Sequence, residues 1–308
     1  MLRPKNLAFA IFAVMLSVSA FAAPPASPTF FTIDNPGDPT FNQLLGINDS
    51  GVISGYFGSG AAGHPNQGYT IAPPYTTFES ANFPGSTQTQ ATGINNGGML
   101  AGFWSNTNTG TDANFGFIRE GTSTFTFILA DDPRVASTPP VNQLLGINQS
   151  KIAVGFYNDV NGAPHGYTYT VATAKFAPVS VGGVSDAATG ISNDNMICGF
   201  FTEASGHTQG FVKPLSGVSL TTFAVHGSSV TQLLGINDRG IVVGFYVGAD
   251  ALDHGVIYNL ATGNVTYVDA PNGTMGTVLN GINNKNEIVG FYTDAAGNTH
   301  GVLITGAL

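Results

Sequence analysis

Gln232-Leu-Leu-Gly-Ile-Asn237, followed by Asp-Arg-Gly-Ile-Val-Val-Gly-Phe-Tyr246, decides how the rest of the chain is read. The hexapeptide recurs at Gln43–Asn48 and Gln143–Asn148, and weaker copies centre on Gly93, Gly190 and Gly281. The six repeat glycines, Gly46, Gly93, Gly146, Gly190, Gly235 and Gly281, lie 44 to 53 residues apart. A period of about 45 residues with several β segments per unit marks a propeller or another closed β array. In the fifth copy, strand one is Gln232–Asn237 and strand two is Ile241–Tyr246, joined by a tight turn with Gly240 placed for positive φ. A polar loop leads to strand three, Gly255–Asn259, and a turn at Thr262 leads to strand four, Val265–Asp269. These segments are rich in Val, Ile, Phe, Tyr and Thr, and none has a helical period. Glycine normally weakens a strand interior. Six copies in one register therefore imply that something packs against bare backbone there.

Fourth strands are expected at Thr76–Ser80, Phe125–Ala130, Lys175–Val181, Leu220–Val225 and Val265–Asp269. The sixth unit ends after its third strand, Gly301–Thr305, whereas Thr29-Phe-Phe-Thr-Ile-Asp34 has the form of the missing fourth one. Pairing first to last closes the ring and covers the open edges. The expected fold is all-β: a six-bladed β-propeller with four antiparallel strands per blade, the N-terminal strand closing the last blade. It forms a single domain over 29–308, after a short extended lead over 23–28.

Composition agrees with that class and narrows the partners. Hydrophobic residues make up 43%, enough for a large core, but charged residues only 9%, against roughly 25% in ordinary soluble domains. Disorder is excluded by 22 Phe and 10 Tyr. The formal charge of −9 leaves no basic patch to neutralise phosphates, so nucleic acid is not an expected partner. Residues 1–22 read as a signal peptide: Arg3 and Lys5, an apolar stretch from Leu7 to Val18, and Ala20-Phe21-Ala22 as the cleavage site. That stretch is too short to span a bilayer. The mature chain is expected to be a secreted monomer, periplasmic or extracellular, with no membrane span. The single cysteine, Cys198, reads as a small buried hydrophobe rather than a nucleophile.

The pattern Gly-Ile-Asn-x-x-Gly-x-Ile-Val-Gly-Phe-Tyr, then a polar loop and His-Gly-aromatic, resembles the bacterial HAF-type extracellular repeat proteins. The His-Ala-Phe position of that family reads His165-Gly-Tyr167, His254-Gly-Val256 and His300-Gly-Val302 here. It departs to Gln67-Gly-Tyr69, Gln209-Gly-Phe211 and Phe115-Gly-Phe117. The resemblance covers nearly the whole mature chain. It implies an exported repeat protein and transfers no catalytic residue.

Candidate binding residues follow from strand order. If strand four is outermost, strand one lines the axis. Three residues before each repeat glycine stand Gln43, Gln90, Gln143, Ala187, Gln232 and Val278; one residue earlier stand Asn42, Thr89, Asn142, Asp186, Thr231 and Thr277. A neutral polar ring suits a water-filled channel or a hydroxyl-rich ligand, not a phosphate. Trp104 is the only tryptophan and enters the longest strand two–three loop, Ser105–Asn114. The longest unit adds Asp132 and Arg134 on the same face. The candidate set is therefore Asn42, Gln43, Gln90, Trp104, Asp132, Arg134, Asn142, Gln143, Asp186 and Gln232. Recurring histidines on separate blades read as strand-edge hydrogen bonds, not a metal site, and no cofactor is implied. The chain has no Gly-x-Ser-x-Gly elbow and no His-Glu-x-x-His helix. The leading expectation is a non-enzymatic binding or interaction propeller for a glycan or an extracellular protein. The alternatives are a polysaccharide hydrolase or lyase using paired acids near the channel, and a structural cell-surface module. The residue before the glycine alternates Leu45, Thr92, Leu145, Thr189, Leu234, Asn280, so the channel wall should alternate apolar and polar.

Overall fold

The computed structural model describes residues 27–121 and 124–308. The expected signal peptide, 1–22, and most of the lead lie outside the described residues. Six four-stranded antiparallel sheets form the blades, over 42–80, 88–129, 142–178, 185–223, 231–267 and 277–305. The last is completed by Thr29–Thr32, which pairs with Thr299–Thr305, Thr29 opposite Thr305 and Thr32 opposite Val302. The one helical element among the described residues is the 3₁₀ turn Val171–Thr173. The sequence-derived architecture is therefore the observed one.

Every first strand carries the same irregularity. Its register with strand two slips at Leu44/Gly46, Ala91/Gly93, Leu144/Gly146, Ala188/Gly190, Leu233/Gly235 and Leu279/Gly281. The residue between is left unpaired by this bulge and faces the central channel, where Leu45, Leu145 and Leu234 alternate with Thr92, Thr189 and Asn280. The bulge also explains the repeat glycines. A Cβ on Gly93 would lie 2.8 Å from the Leu145 carbonyl oxygen and 2.9 Å from Gly146 Cα. A Cβ on Gly281 would lie 2.8 Å from the Leu45 oxygen and 3.2 Å from Gly46 Cα, so the contacts run around the whole ring.

Outside this collar, each blade buries one face against the next. Leu44, Leu144, Leu233 and Leu279 are wholly inaccessible, and burying each contributes about 2 kcal/mol. Leu144 of blade 3 packs with Ala101 and Ile118 of blade 2, and Leu279 of blade 6 with Ile257 of blade 5. Cys198 is part of such a core, and burial pushes its thiol up to about 12.

The Asn that ends the hexapeptide, present in every blade but the fourth, where Ser192 stands, has two tasks. Asn48 Oδ1 accepts the backbone N–H groups of Ser50 and Val52, which holds the turn. Its Nδ2 donates to the Asn95 carbonyl of the next blade at 3.1 Å. The same link joins Asn95 to Asn148, Asn148 to Ser192, Asn237 to Asn283, and Asn283 back to Asn48.

The fourth strands are shorter than expected: Phe78–Ser80, Thr126–Leu129, Lys175–Pro178, Thr221–Phe223 and Val265–Tyr267. In four blades a side chain closes the ladder beyond the fourth strand. The strand-three glycine N–H that would meet the next backbone carbonyl is taken by Asn82 at Gly68, Asp131 at Gly116, Asp269 at Gly255 and Asp34 at Gly301. Strand pairing stops where an Asx oxygen replaces the backbone one.

Candidate functional site

The ten candidate residues separate by position. Asn42 and Asn142 begin first strands, Asp186 is the second residue of its own, and all three are almost wholly buried. Asn42 Oδ1 accepts the Asn35 N–H at 2.6 Å, Asn142 Oδ1 accepts the Asp132 N–H at 3.0 Å, and Asp186 Oδ1 accepts the Gly166 N–H at 2.5 Å. Thr89, Thr231 and Thr277 hold the N–H groups of Phe83, Val225 and Ala270 in the same way. This position secures the preceding blade and does not present its polar atoms to the channel. The side chain shares the strand face of Leu44, Leu144 or Ala188 two residues on and turns with it into the blade interface. Burial pushes the Asp186 carboxyl up, with the Gly166 N–H pulling the other way.

Asp132 and Arg134 form a closed pair. The guanidinium grips the buried carboxylate through Nε at 2.9 Å and a terminal nitrogen at 2.6 Å, and lies 4.9 Å from the Tyr157 ring centroid. The carboxylate holds Arg134 protonated beyond its usual range. Neither residue lines a ligand-sized cavity.

The four glutamines one position along are half-buried, and they differ. Gln43 Oε1 accepts the Tyr56 hydroxyl at 2.9 Å. Gln90 and Gln143 instead line a cavity of about 590 Å³, set off the axis and bounded by blades 1 to 3. Its volume falls in the range of small-molecule sites. The axial channel, by contrast, offers cavities of about 90 and 70 Å³ at its wall and its turn-side mouth. Ligand-sized space lies beside the axis, not on it, because the glycine collar draws the first strands together. Gln43 and Gln232 do not border the cavity.

Trp104 forms one wall. It stacks on Phe83 with centroids 4.4 Å apart and planes 3° from parallel, and Phe115 leans on it at 5.0 Å. Its indole Nε1 is buried without a hydrogen-bond partner among the described residues. The loop it opens is folded around Asp112, whose carboxylate accepts the hydroxyls of Thr107 and Thr109, the N–H of Thr109 and Gln88 Nε2. Burial would raise this carboxyl. The Thr107 hydroxyl and the Thr109 and Gly110 donors outweigh it and hold it at about 2. Asp112 is the one acidic residue on the cavity wall, and its charge is taken up by the loop.

Paired acids exist elsewhere. At the turn-side mouth, Asn284 Nδ2 lies 3.0 Å from Asp49 Oδ2 and 2.7 Å from Asp238 Oδ2. Burial raises Asp49, but the Asn284 N–H and the Asn96 and Asn284 amides outweigh it, so the carboxyl sits below its usual range. An ionised acid in a cavity of about 70 Å³ neither donates a proton nor admits a sugar.

The recurring histidines stack on the tyrosines that end second strands, His254 on Tyr246 and His300 on Tyr292. They also bridge carboxylates. His254 Nδ1 is 2.8 Å from Asp269 and Nε2 is 3.1 Å from Asp250; His300 Nδ1 is 2.7 Å from Asp34 and Nε2 is 3.3 Å from Asp294. Among the described residues no cluster of three or more His, Cys, Asp or Glu is placed to hold a metal. The hydrogen bond to Asp269 raises the His254 pKa. For His300 burial acts downward, but the bonds to Asp34 and Asp294 prevail and the pKa is raised. A folded pKa above the unfolded value of about 6.5 stabilises the fold fully below that value. The contribution fades as pH rises through the folded pKa. The urea midpoint is therefore expected to fall as the pH rises above about 6.5, and His300→Gln to flatten that fall. Parallel profiles for the two proteins would refute the assignment.

Two residues escaped the sequence reading. Asn66 and Asn114 stand two positions before the strand-three glycines of blades 1 and 2, and both touch the cavity glutamines. The other blades have Pro164, Thr208, Asp253 and Thr299 there. That break in the repeat was the available signal.

No protein-family model and no curated protein matches the sequence. Solved structures do match in shape. TolB from Acinetobacter baumannii superposes with a TM-score of 0.57 at 10% identity, covering 88% of this chain and 66% of that one. AofleA from Arthrobotrys oligospora gives 0.53 at 8% identity, covering 90% and 86%. The chain thus spans just under two thirds of TolB. At such identities the likeness concerns the fold alone, and the fold is that of a β-propeller.

Proposed function

We propose that the protein is an exported, monomeric binding module, akin to the HAF-type extracellular repeat proteins, that holds a saccharide in the cavity between blades 1 and 3. The observation that supports this is the convergence of Trp104, Gln90 and Gln143 on one preformed cavity of about 590 Å³ whose only carboxylate is already saturated. An aromatic face with neutral amides beside it suits a hydroxyl-rich ligand with apolar C–H faces. The hydrolase alternative loses support, because Asp132 and Asp186 are engaged in structural bonds away from the cavity. The test is a glycan-array screen followed by calorimetry on the best ligand. Trp104→Ala is expected to weaken binding about 30-fold, as for a tryptophan anchor worth about 2 kcal/mol, with thermal unfolding recorded to show that the fold survives. Absence of binding to every glycan would remove the saccharide reading, and release of reducing sugar would restore the enzymatic one.

A further inference from the structure

The glutamine amides on the cavity wall are not free to choose their orientation. Asn66 Nδ2 donates to the Gly58 carbonyl at 2.6 Å. The other end of that amide is therefore the acceptor, and it takes Gln90 Nε2 at 2.9 Å. On the neighbouring blade Gln143 Nε2 donates to Asn114 Oδ1 at 2.7 Å, with Asn114 Nδ2 set toward the Asp112 carbonyl at 3.5 Å. Both glutamines thus commit their donor end to the wall. Their Oε1 atoms have no hydrogen-bond partner among the described residues. In blade 1 the arrangement is reversed: Tyr56 occupies the oxygen of Gln43. No lysine or arginine borders the cavity.

We infer that the cavity is an acceptor-lined site selecting neutral, hydroxyl-donating saccharides over carboxylated or sulfated ones, and that Asn66 and Asn114 are the positioning residues that impose this preference. The inference rests on the saccharide reading of the cavity. Adjacent sugar hydroxyls donate to Gln90 Oε1 and Gln143 Oε1 while the ring lies on Trp104. An anionic substituent would meet carbonyl oxygens with no counter-charge, which leaves a desolvated charge unpaired. The two asparagines are not equally firm. Asn66 is locked by the Gly58 carbonyl at short range, whereas Asn114 has only a long contact and can turn over.

The experiment uses the full mature chain and calorimetric titration with three forms of one oligosaccharide: neutral, uronic-acid and amino-sugar. The neutral form is expected to bind at least about tenfold more tightly than the uronic acid. Asn66→Leu releases Gln90 to rotate and should shrink that ratio several-fold. Gln90→Leu, which removes the acceptor and leaves Asn66 and its bond to Gly58 in place, should shrink the ratio to the same extent, a coincidence that a purely structural role for Asn66 would not produce. Gln90→Glu should lose the neutral ligand, because a carboxylate oxygen cannot face the fixed Asn66 oxygen. Gln143→Glu should be tolerated, because Asn114 can flip. Urea unfolding of each variant separates misfolding from altered recognition, and the paired Gln substitutions serve if Asn66→Leu does not fold. Equal or tighter binding of the uronic acid, amino-sugar binding weaker than that of the uronic acid, or an unchanged ratio in Asn66→Leu, overturns the inference while leaving a saccharide site. Failure of the native protein to bind any of the three overturns both.

Discussion

Gly244→Ala is expected to lower folding stability by about 3 kcal/mol, the upper end of what overpacking a rigid site costs. The added methyl would overlap the carbonyl oxygen of Gln232 in the facing first strand. The obstacle is backbone held in the sheet, so no side chain can swing aside. The same overlap occurs at Gly55, Gly102, Gly155, Gly199 and Gly290, each against the carbonyl at the glutamine position of its own blade. The cause is the bulge, which tips that carbonyl over the second strand. The measurement is a urea titration beside Gly263→Ala. Gly263 has φ +75°, and an added methyl there would find nothing within 4 Å, so it should lose only the roughly 1–2 kcal/mol of a left-handed alanine. Equal losses at the two sites would show that backbone conformation, not collision, sets the requirement.

Removal of residues up to Asp34 should be about as damaging. It strips the strand paired to Thr299–Thr305, the buried Ile33, and the Asp34 carboxylate that holds both His300 and the Gly301 N–H. Four or so hydrogen bonds, each contributing about 1 kcal/mol net, and the buried Ile33 side chain, about 2 kcal/mol, are lost together, so the urea midpoint should drop. The bared edge should also promote aggregation. Thr29 lies opposite Thr305, so moving Thr29–Asp34 behind Leu308 through a short turn builds an ordinary hairpin at the same place. That rearranged chain should recover the native urea midpoint. A truncated protein as stable and as monomeric as the full one, by the same titration and light scattering, would refute the closing role of the segment.

The architecture was legible because repetition multiplies weak local signals. One Gly-Ile-Asn means little, but six Gly-Ile copies at nearly constant spacing, five of them followed by Asn, define a blade, and the orphan Thr29–Asp34 could be matched to a vacant place. The candidate site was legible only in part. Trp104, Gln90 and Gln143 could be singled out by type and position. Their company could not, because Gln88, Asp112 and Asn66 meet them through loops whose course no periodicity encodes. The inward direction assumed for Asn42, Asn142 and Asp186 failed because each lies two residues before the buried Leu44, Leu144 or Ala188, on the strand face that packs between blades. The early ends of the fourth strands in blades 2, 5 and 6 were hidden because an Asx oxygen imitating a backbone carbonyl does not differ, in composition, from a turn.

The alternating residue at the channel has a consequence for how such rings can vary. Thr92 donates to the Leu144 carbonyl, Thr189 to Leu233 and Asn280 to Leu44, each reaching forward from an even blade to an odd one. Leu45, Leu145 and Leu234 have no polar group to return the gesture. The joints are thus of two kinds, and they alternate. One of the hydrogen-bonded joints, Asn280 to Leu44, links blade 6 to blade 1, which the chain also joins through residues 33–41; the covalent gap lies inside blade 6, where Thr29–Thr32 pairs with Thr299–Thr305. Insertion of a single blade would set two like joints side by side, whereas insertion of two would restore the order. Parity, not only circumference, governs how many blades this ring can gain or lose.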